Sequence, residues 1–150
     1  MLHKKLQSDM QQALKDRDET KLNTLRLALA ACTEALVASS RKPTDTLDDE
    51  EVLTVLRRTA KQRRESADQY RSAGHSDRAD AEDAERAVLE GYLPPTLSDE
   101  DIRTVVLKQK EALSISEKKD IGRLIKAVMA EVGDQADGSD VARIVSAEVS

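Results

Sequence analysis

The densest group of side chains able to do chemistry is a basic run between positions 57 and 71. Six arginines and lysines but only two acidic residues occur there, which gives a local charge of +4. On a helix, Arg57, Lys61 and Arg64 are spaced by four and three residues, so they share one face. Guanidinium and ammonium groups in such a row bind phosphates. The spacing predicts an RNA-contacting face made by Arg57, Lys61 and Arg64.

The acidic stretch that follows suggests a different role for the basic run between positions 57 and 71. From Ser76 to Asp101 there are nine acidic and two basic residues, a local charge of −7. If both stretches form consecutive antiparallel helices, their charges face each other and make an ionic hairpin. Arg63 falls in the apolar stripe of the first of these helices, so we expect its stem to pack and its head to pair. Phosphate contact and an ionic hairpin are both open interpretations of the run.

A second basic set occurs near the C-terminal end of the sequence. Lys119, Arg123 and Lys126 are four and three residues apart, which again indicates one helical face. The sequence has only two aromatic residues, Tyr70 and Tyr92, so stacking of bases along a single strand is not expected. Any RNA contact made by this set would be to the backbone and the shape of a structured RNA.

Residues suited to catalysis or metal binding are few. We interpret His3 as an exposed residue at a helix start, His75 as a solvated turn residue and Cys32 as a buried structural thiol. Neither histidine has a second soft ligand at helical spacing, and no glycine-rich phosphate loop is present. We therefore expect no catalytic residue, no metal site and no cofactor.

Composition narrows the class of protein further. The chain has 150 residues and a formal net charge of −5, and no apolar run approaches the ~18 residues of a membrane span. The first residues are followed by charged residues rather than by an apolar stretch, so we expect no signal peptide. Together with a single cysteine, these features predict a cytoplasmic protein with no membrane contact.

The elements that must position the basic residues are helices, since glycine and proline are scarce and apolar residues recur at helical spacing. We expect an all-α fold whose N-terminal domain, residues 1–93, has about four helices. The first has a stripe of Leu2, Leu6, Met10 and Leu14. The other three helices are expected at about these positions: from the Asp18 cap to Ser39–Ser40, from Asp48 to Ser72, and from Ser76 to Leu93.

A double proline, Pro94–Pro95, stops the fourth helix and marks a linker at residues 94–97. A small C-terminal domain, residues 98–150, then has three helices. Ser98 begins the first of them in the manner of a capping box. Ser116 and Ser139 are the expected caps of the other two.

Several short motifs occur in an order that resembles the GatB/YqeY family. They include Lys61–Ser66, Tyr70 and the run Leu89–Glu90–Gly91–Tyr92–Leu93–Pro94, and they continue with Lys119–Gly122 and Ala136–Gly138. The similarity covers nearly the whole chain and is to a stand-alone YqeY-like protein. The family's Gly-Arg-Ala-Asp-Gly stretch has Gln135 in place of the arginine.

The resemblance implies an all-α fold and a function connected with tRNA. A similar region forms the tail of GatB, the B subunit of the glutamine-dependent aspartyl/glutamyl-tRNA amidotransferase, where it helps to recognise tRNA. The family label also suggests a carbon–nitrogen ligase with glutamine as amido-N-donor. We expect a non-catalytic accessory module associated with tRNA or another structured RNA. The alternatives are a protein-interaction module without RNA binding and, by family label only, ligase-related activity.

Overall fold

The computed structural model describes residues 1–149, and in that range the chain forms seven α-helices and no strand. The predicted all-α fold is confirmed. The chain divides into two compact units, Met1–Leu93 and Pro94–Ser150. Whether each unit is a domain that folds alone stays a prediction.

The first unit consists of four helices: α1 (Leu2–Asp16), α2 (Glu19–Ala38), α3 (Asp49–Ser72) and α4 (Ser76–Glu90). The side chain of Asp18 accepts a hydrogen bond from the Lys21 N–H and so caps α2, as predicted. Asp48 and Glu51 form a capping box at the start of α3. The buried core is aliphatic and includes Leu6, Leu25, Leu36, Leu56 and Leu89, together with the fully buried Cys32.

The expected stripe of α1 is wrong at its end. Leu14 is 56% exposed, whereas Ala13 and His3 are buried. Residues spaced by four advance about 40° around a helix at every step, because one residue turns about 100°. By Leu14 the stripe has rotated away from the core, and Ala13 takes the inner position instead.

Two further expectations about the first unit need correction. His3 is only 4% exposed, and its Nδ1 accepts a hydrogen bond from the Leu47 N–H at 3.1 Å. The loop before α3 folds back onto α1, a long-range contact that helix periodicity does not show. Helix α4 ends at Glu90, three residues before the predicted Leu93, and Gly91 and Tyr92 form a turn before the prolines.

The second unit is built from α5 (Asp99–Ala112), α6 (Ile121–Val132) and α7 (Gly138–Val149). Short 3₁₀ turns occupy Lys118–Asp120 and Gly133–Gln135. Ser98 and Asp101 form the predicted capping box of α5. The core contains, among others, Ile102, Val106, Leu124, Val128, Val141 and Val145.

Neither Ser116 nor Ser139 caps a helix as expected. The 3₁₀ turn lies between Ser116 and α6, and neither that turn nor α6 has a side-chain cap. Helix α7 begins at Gly138, and the Asp137 carboxylate accepts hydrogen bonds from both the N–H and the hydroxyl of Ser139 at 2.8 Å. Asp137 therefore organises this turn, because its short carboxylate reaches the N–H two residues ahead.

Candidate nucleic-acid interface

Arg63 and Arg71 of α3 form ion pairs with carboxylates of α4. Arg63 Nη1 lies 3.1 Å from a carboxylate oxygen of Glu82 and 3.1 Å from one of Glu85. Its side chain is 22% exposed, so stem packing and head pairing occur together as predicted. Ion pairs thus join the two helices along their packed faces.

The second bridge of this hairpin lies near its tip. Arg71 pairs with Asp80 at 3.2 Å and with Asp83. The hydrogen bond from Arg71 lowers the pKa of the Asp83 carboxyl, and the same bond raises the pKa of Arg71. Both groups are partly exposed, so solvent screening limits what the pair contributes to stability.

The row predicted to contact RNA, Arg57, Lys61 and Arg64, runs along α3. Lys61 is exposed, whereas Arg57 and Arg64 are half-buried. None of the three is without a partner in the structure. Phosphate contact by this row stays a prediction.

The basic set of the second unit lies on the surface. Lys119, Arg123 and Lys126 are all exposed, Lys119 in the 3₁₀ turn and the other two on α6. Lys119 Nζ is 3.1 Å from Glu117, and both of these side chains are more than half exposed. Arg123 donates a hydrogen bond to the Leu113 carbonyl oxygen at 3.0 Å, which fixes one edge of its guanidinium.

The helix beneath this set adds to its positive potential. A helix N-terminus has a partial positive charge, and no side chain caps the start of α6. From Lys118 to Lys126 there are four basic residues and one acidic residue, a local charge of +3. Gly122 is exposed, and a Cβ there would meet nothing within 4 Å, so the surface is open. We call the surface formed by Lys119, Arg123 and Lys126 the α6 face.

Sequence reasoning missed a third polar cluster, which lies in the first unit. The Tyr92 hydroxyl donates a hydrogen bond to Asp9 Oδ2 at 2.6 Å, and Lys5 Nζ lies 5.6 Å from the centre of the Tyr92 ring. Burial is the main cause that raises the pKa of Tyr92, and the bond to Asp9 adds to it. The spacing of Lys5 and Asp9 by four places them on one face, but no local signal links them to Tyr92.

The one cysteine and the potential metal ligands among residues 1–149 lack the surroundings that nucleophilic or metal chemistry needs. Burial raises the pKa of the Cys32 thiol to about 11, which keeps it protonated at neutral pH and therefore a poor nucleophile. In residues 1–149 no group of three or more histidine, cysteine or acidic side chains is placed to hold a metal ion. No helix in the same range is long and apolar enough to cross a bilayer.

Comparison with known proteins decides the family. The family model described as "Yqey-like protein" matches residues 3–149 of the chain. The chain belongs to this family.

A protein of similar sequence is "Altered inheritance of mitochondria protein 41, mitochondrial" from Pyrenophora tritici-repentis (strain Pt-1C-BFP). The YqeY-like chain is 27% identical to it over 138 residues, which cover 91% of this chain and 74% of that protein. The similarity therefore extends across both units.

The position where the family's arginine is replaced has a structural role in this YqeY-like chain. The Gln135 carbonyl oxygen accepts a hydrogen bond from the Leu97 N–H at 2.8 Å. Ala136 is buried, and Asp137 organises the start of α7. The Gln135 contact uses a backbone carbonyl, so it does not need an arginine side chain at this position.

Proposed function

We propose that this YqeY-like protein is a non-catalytic accessory module that binds the phosphate backbone of a structured RNA, tRNA in the first instance, through the α6 face. The observation that carries the proposal is the exposure of Lys119, Arg123 and Lys126 together beside an uncapped helix start. Phosphate oxygens accept hydrogen bonds from such cations, and the helix dipole favours the same charge.

Existing contacts of the α6 face do not oppose an RNA ligand. The Lys119–Glu117 pair is exposed on both sides, so it contributes about 0–1 kcal/mol and is exchanged readily for a phosphate. Arg123 uses one nitrogen on the Leu113 carbonyl, and its guanidinium has further N–H donors. Backbone contact also suits a chain with two tyrosines, since it needs no base stacking.

The family resemblance supports the same function from a separate direction. The similar tail of GatB is associated with tRNA recognition, while kinase-like and amidase chemistry lies elsewhere in that enzyme. For this chain we propose binding without chemistry, in the cytoplasm. The name of the 27%-identical relative places that protein in mitochondria, so fractionation of the cells that naturally make this protein is the direct test of its location.

Binding of tRNA by charge-reversal variants tests the proposal. Changing Lys119, Arg123 and Lys126 to Glu together should weaken tRNA binding by more than tenfold, because each lost phosphate contact is worth about 1.5–3 kcal/mol. The matched control reverses the same number of exposed charges on α1 and α2: Lys4→Glu, Lys15→Glu and Arg26→Glu. An equal loss in both triple variants would show only a net-charge effect and would reject the α6 face.

Two further measurements separate the alternatives. If neither variant nor wild type binds tRNA, while the wild type still captures a protein partner, the protein-interaction module is the better assignment. Glutamine turnover by the isolated chain, abolished by a point substitution in it, would favour the ligase-related alternative. We expect no turnover, since the thiol of Cys32 is buried and protonated.

A further inference from the structure

An open cleft of about 360 Å³ lies in the first unit, between the start of α1 and the end of α4. Its lining includes three polar side chains from α1 and α2, namely Lys5, Asp9 and Lys21, and an apolar strip around Ala87, Val88 and Tyr92. We call it the Tyr92 cleft. Its volume falls within the range of about 300–1,000 Å³ typical of small-molecule sites.

The charges in the Tyr92 cleft are arranged unusually. Lys5 and Asp9 are four residues apart on α1, a spacing at which opposite charges commonly pair. Here the Asp9 carboxylate instead accepts a hydrogen bond from the Tyr92 hydroxyl at 2.6 Å, and the Lys5 ammonium lies over the Tyr92 ring. Asp9 and Lys5 therefore both contact Tyr92, the first at its hydroxyl and the second at its ring.

The two lysines remain available to a ligand as a result. Neither Lys5 nor Lys21 forms an ion pair with another of the described residues. This differs from Arg41, Arg63 and Arg71 of the same unit, which all have carboxylate partners. Two unneutralised ammonium groups beside one hydrogen-bonded carboxylate leave the cleft with a local charge of +1.

We propose that the Tyr92 cleft binds a small phosphorylated compound. Lys5 and Lys21 contact its phosphate, and its remaining part lies against the apolar strip of Ala87 and Val88. Tyr92 is the positioning residue, because Asp9 accepts a hydrogen bond from its hydroxyl while Lys5 lies over its ring, so the two charged side chains have separate contacts. The proposal does not depend on RNA binding by the α6 face, which belongs to the other unit.

Titration of the full chain with inorganic phosphate and pyrophosphate, followed by ¹⁵N–¹H NMR, tests this site. We expect saturable changes in the chemical shifts of Lys5, Lys21 and Gly91. In the double variant Lys5→Gln, Lys21→Gln the affinity should be about tenfold weaker or more. The control Lys4→Gln, Lys15→Gln neutralises two other exposed lysines and should bind as wild type. Equal shifts with chloride at the same ionic strength, or an equal loss in the control, would overturn the proposal.

A second experiment tests the role of Tyr92, and an unfolded variant could not give the result that we expect. Tyr92→Phe should weaken pyrophosphate binding several-fold, since Asp9 is then released to pair with Lys5. Adding Asp9→Asn to Tyr92→Phe should restore binding to at least the wild-type level. Failure of this rescue would remove Tyr92 from the site. Displacement of bound pyrophosphate by tRNA would contradict a small ligand and assign the cleft to RNA phosphate.

Discussion

The basic residues of α3 and those of the α6 face look alike in sequence but differ in their surroundings. Arg63 is mostly buried between Glu82 and Glu85, so its charge is used to join two helices. Arg123 and Lys126 are exposed on α6, and Glu117, which pairs with Lys119, is itself exposed. The comparison teaches that spacing identifies a basic face, whereas burial and the neighbouring helix decide whether it is structural or open to a ligand.

The largest expected effect is at Arg63. Arg63→Ala leaves the carboxylates of Glu82 and Glu85 close together without a cation, so the free energy of unfolding should fall by about 2 kcal/mol. Arg123→Ala removes an exposed cation and should change it by less than about 0.5 kcal/mol. Urea unfolding measures both. If the free energy of unfolding fell by a similar amount in both variants, the proposed difference between the paired and the open surface would be wrong.

Removing one helix N-cap in each unit compares the stability of the two units. Ser98→Ala removes the cap of α5 and Asp48→Ala that of α3, and each should cost about 1 kcal/mol. Hydrogen exchange should show the loss from Ser98→Ala only in residues 94–149, and the loss from Asp48→Ala only in residues 1–93. A loss spread evenly over both ranges would show that the chain unfolds as one cooperative unit.

A smaller and pH-dependent difference comes from histidine, which occurs only in the first unit. Burial is the main cause that lowers the pKa of His3, whose Nδ1 must be unprotonated to accept the Leu47 N–H. The unfolded chain therefore binds the proton more readily. The stabilisation is complete above the unfolded pKa of about 6.5 and is lost progressively as the pH falls below it.

The substitution His3→Asn separates this effect from general acid unfolding. Asparagine has an acceptor oxygen where His3 has Nδ1, and that oxygen does not titrate in this range. The variant should match the wild type at pH 8 and lose less stability on going to pH 5. Equal losses for both proteins in thermal unfolding would remove His3 as the cause.

Local features of the fold were predictable, and long-range ones were not. Asp18 and Ser98 cap helices as expected, because a cap depends on residues within one turn. The contact of His3 with Leu47 and that of Tyr92 with Asp9 span 44 and 83 residues. Helical periodicity contains no information about such contacts, so His3 was wrongly expected to be exposed.

The candidate site was predictable to the same depth. Spacing predicted one helical face for Lys119, Arg123 and Lys126; Arg123 and Lys126 lie on α6, whereas Lys119 lies in the 3₁₀ turn before it. The pairing of Arg63 followed from its position in an apolar stripe. The 3₁₀ turn before α6 and the role of Asp137 were missed. Both depend on backbone turns that many different sequences can form, so the predicted helix caps at Ser116 and Ser139 were wrong.

The salt dependence of tRNA binding tests the central claim most directly. Each phosphate contact releases counterions, so the logarithm of affinity falls with the logarithm of salt by about 0.7–0.9 per contact. Neutralising the α6 face with Lys119→Gln, Arg123→Gln and Lys126→Gln should reduce this slope by about two to three. The same change at Arg57, Lys61 and Arg64 should reduce it less. An unchanged slope in the α6 variant, with its fold intact by circular dichroism, would contradict the account.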